Sequence, residues 1–382
     1  MKKILLLLFL PLFLLIKLIP RNKNIVLFGS NKKTNFSDNP KYLFIEINKY
    51  KNDKNQFIYV SKNKQAIAEA KKYGDAIYIY SFRSIILHLR AYYFINSHSI
   101  DDFISILTNG AVIVQLWHGL PLKKIGNDTD FNHLESNLLK NVKINLYWKL
   151  FPYLDYKRHT YLCISNSIFT PYFMSAFNTI KNRIIYVEQP RVLYSKIDDT
   201  IKKQKIKNKI ISIFPTYRAN IMPSFFSYIT DDALIHLNIL ANEKNYLIYI
   251  KPHPLEVSIL LDRINSLSLN KVILYTEIDP YPLGKISDLI ITDYSSIYFD
   301  LLDDNKRIAF ICPDINTYLK NIGLYFDYYN DKLTPGHKFS SFDDFLENIQ
   351  YCFDTIYDFS YIKKHQSTQS ILDLIINKKL KR

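Results

Sequence analysis

The chain is predicted to fold as two α/β domains, each a doubly wound parallel sheet, facing one another across a central cleft. Three observations predict it. From Asn24 onward, short β-branched or aromatic runs alternate with helical stretches, which is the signature of βαβ units. The alternation runs through two successive series, with the lysine-rich stretch Lys196 to Lys209 between them. Two polar stretches, Leu116-Trp117-His118-Gly119 and Ile291-Thr292-Asp293-Tyr294-Ser295-Ser296, each follow an apolar run that reads as a buried strand. Ligands of open α/β sheets bind outside the carboxyl ends of strands. A length of 382 residues agrees with two domains.

In the first series, Asn24 to Ser30, Gln56 to Ser61, Ala76 to Tyr80, Ala111 to Leu116, Thr160 to Ile164 and Ile184 to Glu188 read as strands. Helices are expected near Lys41 to Tyr50, over Lys64 to Tyr73 with Gly74 as the stop, and over Ser84 to Ile95. Lys196 to Lys209 is poor in large apolar residues and reads as the interdomain linker or its edge. The second series has strands at Ile210 to Phe214, Tyr246 to Ile250, Val272 to Tyr275, Asp288 to Thr292 and Arg307 to Ile311. Helices fall at Asp231 to Asn242, Ser296 to Leu302, Phe342 to Phe353 and Ile371 to Leu380. The expected division is a hydrophobic segment over 1–20, a first Rossmann-like domain over 21–195 and a second over 196–382.

Ile4 to Ile16 is apolar apart from Pro11, which is short for a spanning helix of about 20 residues. No small-residue cleavage site follows it. The segment is expected to associate with a membrane, with the rest of the chain on the cytoplasmic side; a cleaved signal and a true span are the alternatives. Lys+Arg 50 against Asp+Glu 35 gives a net charge of +15, so anionic partners are expected. Basic and aromatic residues interleave over Leu138 to Leu162, which suits an anionic membrane surface or, alternatively, the solvated face of an amphipathic core helix. No nucleic-acid-binding motif accompanies them. The scattered Cys163, Cys312 and Cys352 offer neither a disulfide framework nor a zinc site. Neither a GxGxxG fingerprint nor a P-loop is present.

His118 lies just past an apolar strand, beside Gly119, which lets a ligand approach the backbone. An imidazole there can take a proton from an attacking hydroxyl near neutral pH. A loop-capping histidine is the competing reading, and Lys123 and Lys124 weigh against it by surrounding the ring with positive charge. His253, in Lys251-Pro252-His253-Pro254, is held by two prolines beside a lysine, a pair suited to a diphosphate. Thr216 and Arg218 follow another strand end, and arginine suits bidentate phosphate recognition. Ser295 and Ser296 open a helix, where free N–H groups favour anions, although N-capping alone accounts for such residues. Arg191, after Gln189-Pro190, is expected to line the cleft. Asp128-Thr129-Asp130 is a DxD, a pattern too short to imply a metal; no metal and no cofactor are expected.

Four ordered motifs carry a resemblance. Trp117-His118-Gly119-x-Pro121-x-Lys123-Lys124-x-Gly126, Pro215-Thr216-Tyr217-Arg218, Lys251-Pro252-His253-Pro254 and Thr292-Asp293-Tyr294-Ser295-Ser296-x-x-x-Phe299-Asp300 resemble the CDP-glycerol glycerophosphotransferases of teichoic-acid synthesis. Leu120, where many members have Thr, and Glu188, where Gly is frequent, depart from the pattern. The resemblance implies a GT-B fold, attachment to the cytoplasmic face of the membrane, a CDP-activated polyol donor and a lipid-linked acceptor. It implies His118 as general base and His253 at the donor diphosphate. Arg218, Thr216, Lys251, Ser295 and Ser296 would then hold phosphate oxygens, with Asp293 shaping the loop and Gly119, Lys123, Lys124, Asp128 and Arg191 on the acceptor side. The expected reaction is transfer of a polyol phosphate, with loss of CMP; a GT-B glycosyltransferase using a CMP- or nucleotide-diphosphate sugar is the alternative.

Overall fold

A computed structural model describes residues 9–129, 155, 157–197, 199–218, 222–302, 306–330 and 332–381. Contacts divide the chain into two units. The first comprises Met1–His118, Gly126–Tyr194 and Gln366–Arg382; the second comprises Gly119–Ile125 and Ser195–His365.

The first unit is built on β1 (Asn22–Phe28), β2 (Gln56–Ser61), β3 (Asp75–Tyr78), β4 (Ala91–Asn96), β5 (Val112–Gln115), β6 (Tyr161–Ile164) and β7 (Ile184–Tyr186). They pair in the order β3-β2-β1-β4-β5-β6-β7, and every pairing is parallel. Alternation along each strand feeds two cores. Val26, Phe28, Tyr59, Tyr93 and Val114 join one, while Ile25, Leu27, Ile58, Phe94 and Ile113 join the other. A sheet covered on both faces needs such continuous apolar runs.

The second unit repeats the plan with β8 (Lys209–Phe214), β9 (Tyr246–Ile250), β10 (Val272–Leu274), β11 (Leu289–Thr292), β12 (Arg307–Ile311) and β13 (His337–Phe339). Its order is β10-β9-β8-β11-β12-β13, again parallel throughout. Strand order reverses between β1 and β4 in one unit and between β8 and β11 in the other. Those switch points open the crevices where such sheets bind ligands.

Several expectations are corrected. Ser84 to Ile95 is not one helix: a helix over Phe82–Arg90 stops, and Ala91–Asn96 forms β4 in the middle of the sheet. Ala91 turns extended with no Gly or Pro to mark the change, and burial of Tyr93, Phe94 and Ile95 at 0% exposure outweighs local helical preference. Within the lysine-rich stretch, Asp199–Lys207 is a helix rather than a linker. It buries Ile201 and pairs Lys205 with Asp288. Phe342 to Phe353 breaks at Asn348 into Phe342–Glu347 and Ile349–Asp354. The basic-aromatic stretch from Leu138 lies outside the described residues as far as residue 154.

The last residues leave the second unit. The helix Ile371–Ile376 buries Ile371, Leu372, Leu374 and Ile375 in the first core. Each such side chain is worth about 1.5–3 kcal/mol. Hydrogen bonds from Ser367 N to Ser165 O (2.7 Å) and from Glu188 N to Gln369 O (2.9 Å) fix the return path.

At the other end, the helix Phe9–Ile16 buries Phe13 and Ile16 and leaves Leu12, Leu14 and Leu15 exposed. Among the described residues, no helix is long and apolar enough to cross a membrane. Gly126 has φ +58°, and a Cβ there would collide with the Ala176 carbonyl oxygen. Gly126→Ala is therefore expected to destabilise the chain by about 1–3 kcal/mol, read as a shift of the urea midpoint at unchanged slope.

Candidate functional site

In the first unit the site grows from the loops after β1, β4 and β5. Trp117 (φ +57°) and Gly119 (φ +131°) flank His118 in a tight turn at the end of β5. Asn39, fully buried, secures that turn. Its Nδ2 donates to Trp117 O at 2.7 Å, and its Oδ1 accepts from Arg191 N at 3.1 Å. Gln189 accepts a second hydrogen bond from the same Asn39 amide.

The His118 imidazole has one fixed face. Its Nδ1 lies 2.9 Å from Ser97 O, a carbonyl that only accepts, so Nδ1 carries the proton and Nε2 keeps its lone pair. The ring stacks on His98 with centroids 4.7 Å apart and planes at 16°. His98 Nδ1 in turn sits 2.9 Å from Ser97 Oγ and accepts from Asn31 N. Desolvation by surrounding protein, then the adjacent His98, push the His118 pKa down to about 4, although part of the side chain remains open to solvent.

Asp38, at φ +61°, completes the group. Its Oδ1 accepts from Arg191 Nη1 at 2.8 Å. Burial raises the Asp38 pKa, but Arg191 and the two histidines outweigh it and hold the carboxyl below its ordinary value. Ligand atoms of Asp38, His98 and His118 lie within 4.8 Å of one another. A bound cation there would face the Arg191 guanidinium already paired with Asp38, so the group suits proton handling better than metal binding.

The second unit builds its group at the β8/β11 switch point. Thr292 Oγ1 donates to Phe214 O at 2.7 Å and ties the two strand ends together. Asp293, with no exposure, accepts from Thr216 N at 2.8 Å and from Arg218 Nη2 at 2.8 Å. Burial raises the Asp293 pKa despite the opposing guanidinium. Arg218 is itself buried, and its Nη1 pairs with Asp314. Tyr228 and Tyr294 present their ring faces to its guanidinium at 5.6 Å each. Both Nη atoms of Arg218 are thus committed to carboxylates.

Other candidate residues gather around this core. His253 stacks on Tyr217 with centroids 3.7 Å apart. Its Nδ1 accepts from Leu255 N at 3.3 Å, so the neutral ring carries its proton on Nε2. Desolvation, helped by Lys251, lowers the His253 pKa against the opposing pull of Glu256. Lys251 Nζ donates to Pro252 O. Ser295 Oγ accepts from Ile297 N at the start of a five-residue helix, Ile297–Leu301, with Ser296 at its N-cap.

The segment Gly119–Ile125 belongs by its contacts to the second unit. Lys123 bridges to Leu324, Lys124 N donates to Gly323 O at 3.3 Å, and Tyr325 N donates to Leu122 O at 3.0 Å. Asp293 acts electrostatically on Lys123, whose pKa burial lowers. Lys123 therefore joins the Asp293 group, Lys124 is tied to Gly323 through its backbone, and Arg191 joins the His118 group. Asp128 accepts from Ser175 Oγ at 2.5 Å; Asp130 lies outside the described residues. Asp38, Asn39, Ser97 and His98 escaped the sequence reading. His98 follows the carboxyl end of β4, so the rule that singled out His118 finds it once β4 is seen as a strand.

Two doubly wound parallel sheets in succession, each with its polar group at the carboxyl ends of the strands, define a GT-B-like fold. Residues 12–369 match the model of CDP-Glycerol:Poly(glycerophosphate) glycerophosphotransferase, and the chain belongs to that family. Its class of activity is glycerophosphotransfer from CDP-glycerol. A teichoic acid poly(glycerol phosphate) polymerase of Bacillus spizizenii is 28% identical, over 95% of each chain. A protein of the same name from Staphylococcus epidermidis is 27% identical over 92% of this chain, which spans about 50% of that longer relative. Among solved structures, the wall teichoic acid polymerase TagF superposes with a TM-score of 0.68 at 24% identity, over 94% of this chain and 91% of that one, and shows the shared fold.

Proposed function

We propose that the chain transfers glycerol phosphate from CDP-glycerol to a hydroxyl of a membrane-linked acceptor in teichoic-acid synthesis, with His118 as the general base. The observation that carries this is the Ser97 carbonyl on His118 Nδ1, which commits Nε2 to act as the proton acceptor. The acceptor hydroxyl gives its proton to Nε2 as its oxygen bonds to the β-phosphorus. The bond from that phosphorus to the bridging oxygen breaks, and CMP leaves with the electron pair. The products are a phosphodiester, CMP and one proton. Such transfers depend mainly on positioning and charge stabilisation.

His253 Nε2–H, Lys251, Lys123, Thr216, Ser295 and Ser296 are assigned to the donor's phosphate oxygens. Arg218 supports them from beneath by fixing Asp293, rather than by contacting phosphate itself. On the other unit, Arg191 orients Asp38 beside the two imidazoles.

Attachment to the inner membrane face is supported by the net charge of +15 and by the exposed Leu12, Leu14, Leu15 and Leu18 around the first helix. Offering the purified chain CDP-glycerol, CDP-ribitol, CMP-sialic acid and UDP-sugars, with a hydroxyl-terminated acceptor, tests the reading. Nucleotide release is expected from CDP-glycerol. Release only from a sugar nucleotide would overturn it.

A further inference from the structure

A cavity of about 600 Å³ opens in the second unit beside β13. Thr216, Lys251 and Asp293 follow the carboxyl ends of β8, β9 and β11, whereas Gly336 and His337 stand at the amino end of β13. All strands of this sheet run parallel, so the cavity lies toward its opposite end.

The lining is chemically specific. Tyr329, Tyr351 and Tyr361 are each exposed by 41% or more, yet all three converge on this one cavity. Exposed aromatic clusters of this kind mark binding sites. Lys332 Nζ lies 5.9 Å from the centre of the Tyr361 ring. Lys338 is held by the carbonyls of Thr334 (2.9 Å) and Gly336 (3.4 Å). His337 meets the Tyr351 ring edge-on at 5.1 Å. The buried Tyr357 hydroxyl has no hydrogen-bond partner of good geometry. Asp358, the acidic member, accepts from Ser360 N at 2.8 Å.

The Lys332 ammonium suits a phosphate, and tyrosine rings and hydroxyls suit the C–H and O–H groups of a polyol. The volume falls within the range of about 300–1,000 Å³ usual for small-ligand sites. We propose that this cavity is a second, non-reacting site for glycerol phosphate esters. The proposal rests on the reaction assigned above, because that reaction makes this chemistry available to the chain. The wall also reaches toward the donor group. Tyr328, next to Tyr329, donates from its hydroxyl to Asp293 O, and Thr334 Oγ1 donates back to Tyr328 O at 2.7 Å.

The source of the ester is either free glycerol 3-phosphate or a growing poly(glycerol phosphate) chain, and titration calorimetry of the full chain with each probe distinguishes them. At least one probe is expected to bind. Lys332→Glu and Tyr351→Ala, both at exposed positions, are each expected to weaken that binding by about tenfold, the worth of one charge-assisted contact. If the chain is the source, KM for a long acceptor rises about tenfold while kcat stays unchanged. Turnover of CDP-glycerol with a single-unit acceptor is expected to match wild type in both variants. Binding of neither probe to wild type, or equal binding by wild type and both variants, would overturn the proposal. Loss of CMP release from CDP-glycerol by wild type would instead sink the assigned reaction, and the titrations are read independently of turnover.

Discussion

Replacing His118 with alanine is expected to lower kcat by about 10²–10⁴-fold, the usual worth of a general base. The unfolding midpoint of the variant is measured alongside, so that lost chemistry is told apart from lost folding. The pH profile supplies an independent signature. A free histidine loses its basic lone pair below a pKa near 6.5, whereas His118 is held at about 4. Its neutral form therefore persists as pH falls through 6 and 5, and protonation removes the base only near 4. The acidic limb of kcat/KM should lie correspondingly low. Near-normal turnover by His118→Ala would contradict the assignment, whereas a limb at 6.5 would contradict only the lowered pKa.

Stability must be followed in the same experiment. His88 is fully buried, and burial pushes its pKa down to about 4. Between about pH 6.5 and 4 the unfolded chain binds a proton that the folded chain refuses. The linkage sign is then fixed: stability falls as pH drops through that window. Activity lost there has to be compared with the fraction still folded.

The second large effect concerns Arg218. Alanine at this position leaves Asp293 and Asp314 buried without their shared cation. Breaking a buried pair from one side costs about 3–5 kcal/mol. At about 2–4 °C per kcal/mol for a unit of this size, the second unit should melt on the order of 10 °C lower. Donor affinity is expected to fall with it, because Asp293 also positions Thr216 N. Arg218→Lys keeps the charge but cannot serve both carboxylates with a planar fork, and should lie between wild type and alanine. An unchanged melting curve for Arg218→Ala would show that the network carries no stability.

The alternation of strands and helices was legible because each sheet is covered on both faces and its strands are continuous apolar runs. Gln56–Ser61, Tyr246–Ile250 and Arg307–Ile311 lie where composition alone puts them. What stayed hidden depended on distant partners. β4 was masked because Phe82–Arg90 runs into it without a breaker residue, and pairing with β1 and β5 makes Ala91–Asn96 extended. With β4 unseen, His98 at its end was unseen too. The return of Ile371–Ile376 to the first core follows from burial against Phe28, Tyr93 and their neighbours, which no local pattern records. Arg218 read as a phosphate ligand from its position after a strand. Its commitment to two carboxylates depends on Asp314, 96 residues further along.

The most direct measurement is phosphorus NMR of a reaction containing CDP-glycerol and a hydroxyl-terminated acceptor. Attack at the β-phosphorus with His118 as base gives CMP and new phosphodiester in equal amounts, and almost none of either with His118→Ala. Release of CDP, or CMP formation undiminished by His118→Ala, would contradict it.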